Sequence, residues 1–205
     1  MSARLQAPAT QRNRAPILEV LRRVLPRAGS VLEIASGTGE HVVWFAQALP
    51  DLVFQPSDPD AAHRASIVAW TEFARAANVR APLALDVAAD DWPDDLARGF
   101  DAMLCINMIH IAPWAATLGL LRGASKLLGD DAPLYLYGPY KRDGRHTARS
   151  NLGFDQSLRS QDPEWGVRDL EAVVALAEAE GFEFTELVEM PANNLSLVLR
   201  KRAAD

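Results

Sequence analysis

The sequence predicts an α/β protein: a mostly parallel sheet of seven strands, the last antiparallel, with helices on both faces. Three observations carry this expectation. Val31–Phe45 reads as strand, glycine turn and helix. Short apolar runs then alternate with segments of helical period as far as Tyr137, the pattern of repeated βα units and a parallel sheet. The chain closes on two alternating runs, Phe182–Glu189 and Leu195–Arg200, which suit an antiparallel pair.

Taken in order, residues 1–12 form a flexible, Ala/Pro-rich N-terminus. Asn13 is placed to cap a helix over Pro16–Leu25, with Ile17, Leu18, Leu21 and Leu25 on one face. Val31–Ile34 is the first strand. Glu40–Leu49 is the helix after the glycine turn, with Val42, Phe45, Ala46 and Leu49 at helical spacing. Leu52–Gln55 is the second strand. Ala61–Ala77 is a helix with Ile67, Trp70, Phe73 and Ala74 facing inward. Leu83–Leu85 is the third strand, and Trp92–Ala97 a short helix. Phe100–Asn107 is the fourth strand, Pro113–Leu128 the next helix and Pro133–Tyr137 the fifth strand. Residues 138–165 show no period and read as an active-site loop or lid, since loops this long are usually functional. Arg168–Glu180 is a helix closed by Gly181, and the closing strand pair turns at Asn193-Asn194. One domain accounts for the 205 residues.

Composition narrows the function classes. A net charge of −6 speaks against a nucleic-acid backbone as partner and leaves a small molecule as the expected one. A single cysteine, Cys105, excludes an intramolecular disulfide framework and suits a reducing, cytoplasmic location. There is no apolar run long enough for a membrane span and no signal-peptide h-region. Oligomeric state is not legible. His41, His63, His110, His146 and Cys105 lack paired ligand spacing, so no metal site is expected.

In parallel α/β sheets, ligands bind beyond the carboxyl ends of the strands near the switch in strand order. This rule singles out Ala35–Gly39, Ser57–Asp60, Asp86-Val87, Asn107–His110 and Gly138–Tyr140. Gly37 and Gly39 let the backbone approach a ligand, with Ser36 between strand and turn. Asp58 suits a pair of ribose hydroxyls, whereas Asp60 suits a helix cap. Asp86, with the Val87 backbone, suits the exocyclic amine of an adenine or closes an ordinary turn. Glu33 is a charge inside an apolar strand, placed either to hold the turn or to reach a ligand's amino group. His41 lines the site. Asn107 and Met108 end the fourth strand, where a donor would meet its substrate. His110 and Tyr137 are the candidate general bases. Tyr140, Arg145, His146 and Asn151 are candidate substrate-binding residues in the 138–165 segment, whose cations stand out in an acidic chain.

The segment Glu33-Ile34-Ala35-Ser36-Gly37-Thr38-Gly39, with the acidic residues Asp58 and Asp86 and the closing strand pair, resembles class I S-adenosylmethionine-dependent methyltransferases. Ala35 stands where that class has its first glycine. The segments LEIASGTGEH, QPSDPD, LALDV, CINMIHIAPW, LYGPYKRDGRHT, DPEWGVRDLE and MPANNLSLV further resemble the bacterial family named domain of unknown function 938, itself similar to methyltransferase-like protein 26. The resemblance implies a Rossmann-like methyltransferase fold and S-adenosylmethionine as cofactor. It places Glu33, Ala35, Ser36, Gly37, Gly39, His41, Asp58, Asp86, Val87, Asn107 and Met108 around the cofactor, with the segment around Arg12 and Asn13 closing over it and Arg12 or Arg14 placed to pair with its methionine carboxylate. It implies methyl transfer to a small molecule, because Asn107-Met108-Ile109-His110 departs from the Asn-Pro-Pro-aromatic motif of base and amide methylases. Two other readings stay open. A nicotinamide-dependent oxidoreductase is disfavoured by Val42, which replaces the third glycine of a dinucleotide turn. A non-catalytic module on the same fold is kept open by Ala35.

Overall fold

Fifteen regular segments follow one another in the computed structural model, which describes residues 3–89, Trp92, Leu96 and 99–203. They are α1 (Pro8–Val24), β1 (Gly29–Ile34), α2 (Glu40–Ala48), β2 (Leu52–Pro56), α3 (Ala61–Ala74), β3 (Ala102–Ile106), α4 (Trp114–Leu127) and β4 (Pro133–Gly138). Then come β5 (Tyr140–Arg142), β6 (Arg145–His146), α5 (Arg149–Gln161), β7 (Arg168–Asp169), α6 (Leu170–Ala179), β8 (Phe182–Met190) and β9 (Asn194–Lys201). A short 3-10 turn, Pro191–Asn193, joins the last two strands.

The main sheet has the order β2-β1-β3-β4-β9-β8. β1, β2, β3 and β4 are parallel, and β9 inserts antiparallel to both β4 and β8. The strand order reverses between β1 and β3, so the ligand crevice is expected at their carboxyl ends. One core cluster joins α1, α2 and Ile67 of α3 to one face of the sheet, and a second joins α4 and α6 to the other. Val42, at the position of the missing third glycine, is fully buried in the first cluster. Its side chain fills space that a dinucleotide turn would leave open.

The sheet has six strands rather than seven. Residues 79–83 run beside β2, but only through isolated bridges, Phe54 to Val79 and Ser57 to Leu83. Pro82 has no N–H to give, and the spacing of the two bridges differs by one residue between the chains, so the ladder does not close. The short helix expected over Trp92–Ala97 lies largely outside the described residues.

Four further expectations are corrected. The first helix starts at Pro8, a residue pre-shaped for the first helical turn, with Pro16 inside it, so Asn13 is no cap. The segment before it is tied down: Ser66 Oγ accepts from Leu5 N at 2.8 Å and Glu40 Oε2 from Ala7 N at 2.6 Å, while Trp70 Nε1 donates to Leu5 O. Phe73 faces outward at 64% exposure, and the Arg4 guanidinium lies 3.6 Å from its ring centre.

The fourth concerns residues 138–165, which are not a plain loop. They hold the β5–β6 hairpin, α5 and the approach to β7, and β5, β6 and β7 form a second small sheet. Asp155, 6% exposed, holds this unit together. Its carboxylate lies 3.2 Å from Arg159 Nε, 3.3 Å from His146 Nε2 and 3.8 Å from Lys141 Nζ, and it accepts from Val167 N at 2.7 Å.

Candidate functional site at the strand ends

The carboxyl ends of β1 and β2 are welded together by polar contacts. Ser36 N donates to Ser57 O at 2.9 Å, and Ser57 Oγ donates back to Glu33 O at 2.8 Å. Gly37 N donates to Asp58 Oδ2 at 2.9 Å. Asp58 Oδ1 accepts from Asp60 N at 3.0 Å and lies 3.1 Å from His63 Nδ1. Asp58 is therefore a buried carboxylate, aimed at the glycine turn, with helix capping left to Asp60, which accepts from Ala62 N and His63 N.

The turn itself is unusual in its backbone. Ala35 has a φ of 52°, and Gly37 and Gly39 have 55° and 88°. The left-handed region costs an alanine about 1–2 kcal/mol, whereas glycine enters it freely. Gly39 has a second reason to be glycine, because a Cβ there would meet Ile67 Cα at 2.7 Å, where α2 crosses α3. Across the crevice, Asn107 also leaves its strand with a φ of 62°. Both strands that flank the reversal thus end in a left-handed residue, which turns the backbone sharply away and opens the crevice between them.

Glu33 is 2% exposed, and its Oε2 is buried without a hydrogen-bond partner. Burial pushes its carboxyl up to about 8, against the pull of Ser36, and the nearby Asp58 raises it further. It is a neutral acid at pH 7 with a spare acceptor beneath the turn. That orphaned oxygen, with the Asp58 carboxylate, suits a ligand that brings both an ammonium group and vicinal hydroxyls.

A second group converges from distant parts of the chain. His41 Nε2 lies 2.8 Å from Asn13 Oδ1, and the side-chain amides of Asn13 and Asn194 come near enough to the Tyr137 hydroxyl to favour its ionised form. Burial and the Arg14 charge depress His41 to about 4, so the ring is neutral and donates from Nε2. Burial raises the Tyr137 phenol despite its two amide partners, so Tyr137 is a positioned hydroxyl rather than a ready base.

His110 packs over the end of β4. A Cβ on Gly138 would meet its Nδ1 at 3.0 Å, and the Phe154 ring sits edge-on at 5.6 Å. Burial, with help from the Arg168 charge, lowers His110 to about 4. Arg168 fixes the loop that carries it, donating to Ile109 O at 3.3 Å and to Ala112 O at 2.7 Å. Met108 lies beneath, 6% exposed.

The structure thus brings Glu33, Ala35, Ser36, Gly37, Gly39 and Asp58 together, and likewise Asn13, His41 and Tyr137, and Asn107, Met108 and His110. Other candidates fall elsewhere. Arg12 is exposed, and Arg14 lies 4.0 Å above the Trp44 ring. Asp86 is exposed and closes a turn on Ala88 N, while Val87 is buried with its carbonyl packed against Gly119 of α4. Tyr140 is corrected from substrate contact to core: it is 2% exposed among the residues that pack α6 on the sheet, and burial raises its phenol. Asn151 is a structural tie, donating to Asn193 O at 2.9 Å and to Thr147 Oγ1 at 3.1 Å. Arg145 and His146 line a separate cavity beside the β8–β9 turn.

Sequence reasoning gave no individual role to Ser57, Asn194, Phe154 and Arg168, although Ser57 fell within the strand-end segment Ser57–Asp60. Asn194 was legible only as a turn residue, and the other three carry no motif. Among the described residues no cluster of three metal-ligating side chains occurs, and no helix is long and apolar enough to cross a membrane.

Known structures share this architecture. An O-methyltransferase family protein from Burkholderia thailandensis superposes with a TM-score of 0.81 at 14% identity, over 96% of this chain and 57% of that one. An O-methyltransferase family 2 protein from Planctomyces limnophilus, in complex with apigenin, gives 0.78 at 15% identity, over 94% and 57%. CalO1, a methyltransferase in calicheamicin biosynthesis in its SAH-bound form, gives 0.71 at 16% identity, over 93% and 54%. The chain spans a little over half the length of each, and at these identities the likeness is one of fold. The family described as "Protein of unknown function (DUF938)" matches residues 4–201. Nearly the whole chain falls within that match, and the protein belongs to the DUF938 family, built on the Rossmann-like fold of S-adenosylmethionine-dependent methyltransferases.

Proposed function

We propose that the protein transfers a methyl group from S-adenosylmethionine to a small-molecule acceptor. The observation that carries this reading is the contact between Gly37 N and Asp58 Oδ2, which sets a buried carboxylate against the glycine turn at the reversal in strand order. The reading is supported by the likeness in fold to methyltransferase structures, one of them SAH-bound.

On this reading Asp58 holds the ribose hydroxyls, Glu33 receives the amino group, and the Ser36-Gly37 and Asn107-Met108 backbones line the cofactor. When bound, the cofactor supplies a methyl group on a sulfonium leaving group. The protein's share is alignment, which contributes about 7–11 kcal/mol in well-oriented reactions. Neutral His110 takes the proton of a hydroxyl or amine acceptor at Nε2, the ring nitrogen farther from Gly138. Phe154 shields that ring from water.

Calorimetric titration of the whole chain with S-adenosylmethionine tests the cofactor half, with Asp58→Ala as the comparison. Binding is expected for the wild type and a loss of about tenfold or more for the variant. No heat of binding with the wild type sinks the proposal. Transfer of labelled methyl to small molecules of a cell extract tests the acceptor half, and label found only in protein or nucleic acid overturns it.

A further inference from the structure

The cavity beside the β8–β9 turn is not absorbed by the cofactor reading. It has a volume of about 430 Å³, within the range of small-ligand pockets, and is walled by Arg142, Arg145 and His146 on one side and by Glu189, Met190 and Asn194 on the other. We infer that this cavity receives an oxyanion group, carboxylate or phosphate, carried by the methyl acceptor.

Four observations lead there. The β5–β6 register sets Arg142 directly opposite Arg145, and like charges facing each other across an antiparallel pair destabilise it. Glu189, 3.6 Å from Arg142 Nη1, offsets one of the two, whereas Arg145 has no carboxylate partner among the described residues. His146 is held by Asp155 through Nε2, while its Nδ1 is buried and unpartnered. That nitrogen is the polar atom of the ring left for a ligand. Finally, Asn194 and Leu195 line the cavity, and Leu195 pairs with Gly138, against which His110 packs. The cationic cavity therefore opens at the same strand end as the candidate base. An acceptor anchored there by its anionic end presents its other end towards the strand ends, with Met190 and Leu195 offering apolar contact between.

The inference rests on the methyl-transfer reading for the word acceptor, but the cavity's affinity is measured without it. The full chain is titrated with inorganic phosphate and, separately, with succinate at constant ionic strength, and amide and side-chain resonances are followed by NMR. Saturable shifts at Arg145, His146 and Asn194 are expected with at least one probe, and the better probe tells phosphate from carboxylate. Arg145→Ala, an exposed position whose loss spares the core, is expected to weaken binding about tenfold, and Glu189→Gln to strengthen it by freeing Arg142. Arg80→Ala, outside the cavity, serves as the charge control. No saturable shift, or equal loss with Arg80→Ala, overturns the inference. The same samples are titrated with S-adenosylmethionine. Cofactor binding without anion binding sinks this inference alone, whereas anion binding without cofactor binding supports the cavity and overturns its part in methyl transfer.

Discussion

Gly37 donates its amide hydrogen to Asp58 Oδ2 at 2.9 Å, so the turn after β1 is held by the residue that follows β2. The same carboxylate also accepts from Asp60 N, so one buried side chain fastens the glycine turn and the start of α3 together. Asp58→Ala leaves two backbone donors without their partner. It is expected to cost about 2 kcal/mol of stability, read as a lower urea midpoint at unchanged slope. A midpoint equal to the wild type's would show that the turn holds itself.

Ala35 carries a φ of 52° where glycine would be unstrained. Ala35→Gly removes the clash of Cβ with its own backbone but loosens the unfolded chain. The net expectation is a gain of about 0.5–1 kcal/mol, measured by thermal unfolding. A lower melting temperature would mean that the Ala35 methyl makes contacts worth more than its strain.

Glu33 titrates near 8 in the fold, against an ordinary value of 4.5. Below pH 4.5 it is neutral in both folded and unfolded chains and carries no penalty. As pH rises from there through 8, the unfolded chain gains by ionising first, so this group's stability is progressively lost. Between pH 5 and 8 the wild type is expected to lose on the order of 3 kcal/mol more than Glu33→Gln. Urea unfolding at the two pH values checks this, and parallel declines would sink it. A cationic amine bound beside Glu33 would ionise it, so cofactor binding at pH 7 is expected to release a proton, visible by calorimetry in buffers of different ionisation heat.

His110 is neutral because it is dry, and Gly138 gives it room to be so. In the wild type its ring resonances are expected to titrate near pH 4. Gly138→Ala pushes the ring outward into water, and its titration is expected to move up towards 6.5. The depressed value also means that His110 contributes stability above pH 6.5 that is lost as pH falls towards 4. An unmoved titration in Gly138→Ala would place the yielding element elsewhere.

The sheet and its glycine turn were legible because apolar runs and helical periods report burial directly. The strand-end residues Glu33, Asp58 and Asn107 were legible because topology fixes where such a sheet binds. The N-terminal helix was misread at Asn13, whose amide serves His41 and Tyr137 rather than a helix end. Residues 138–165 hid their structure because polar ties around Asp155, not an apolar stripe, order them. One local signal was present there: Asp143-Gly144, both at positive φ, is the two-residue turn of a hairpin. Tyr140 was misplaced because a tyrosine beyond a strand end reads the same whether its ring turns outward or into the core.

Tyr137 meets one side-chain amide from the first helix of the fold and another from the first residue of its last strand. Those partners lie more than 180 residues apart in sequence order, and the second is made long after the first. Until Asn194 has been made, the pocket lacks a wall and the tyrosine a tether, so a nascent chain with most of its sheet already formed is still an incomplete receptor. Ligand binding can therefore act only once both walls exist, as a seal on the assembled pocket rather than a guide to its assembly.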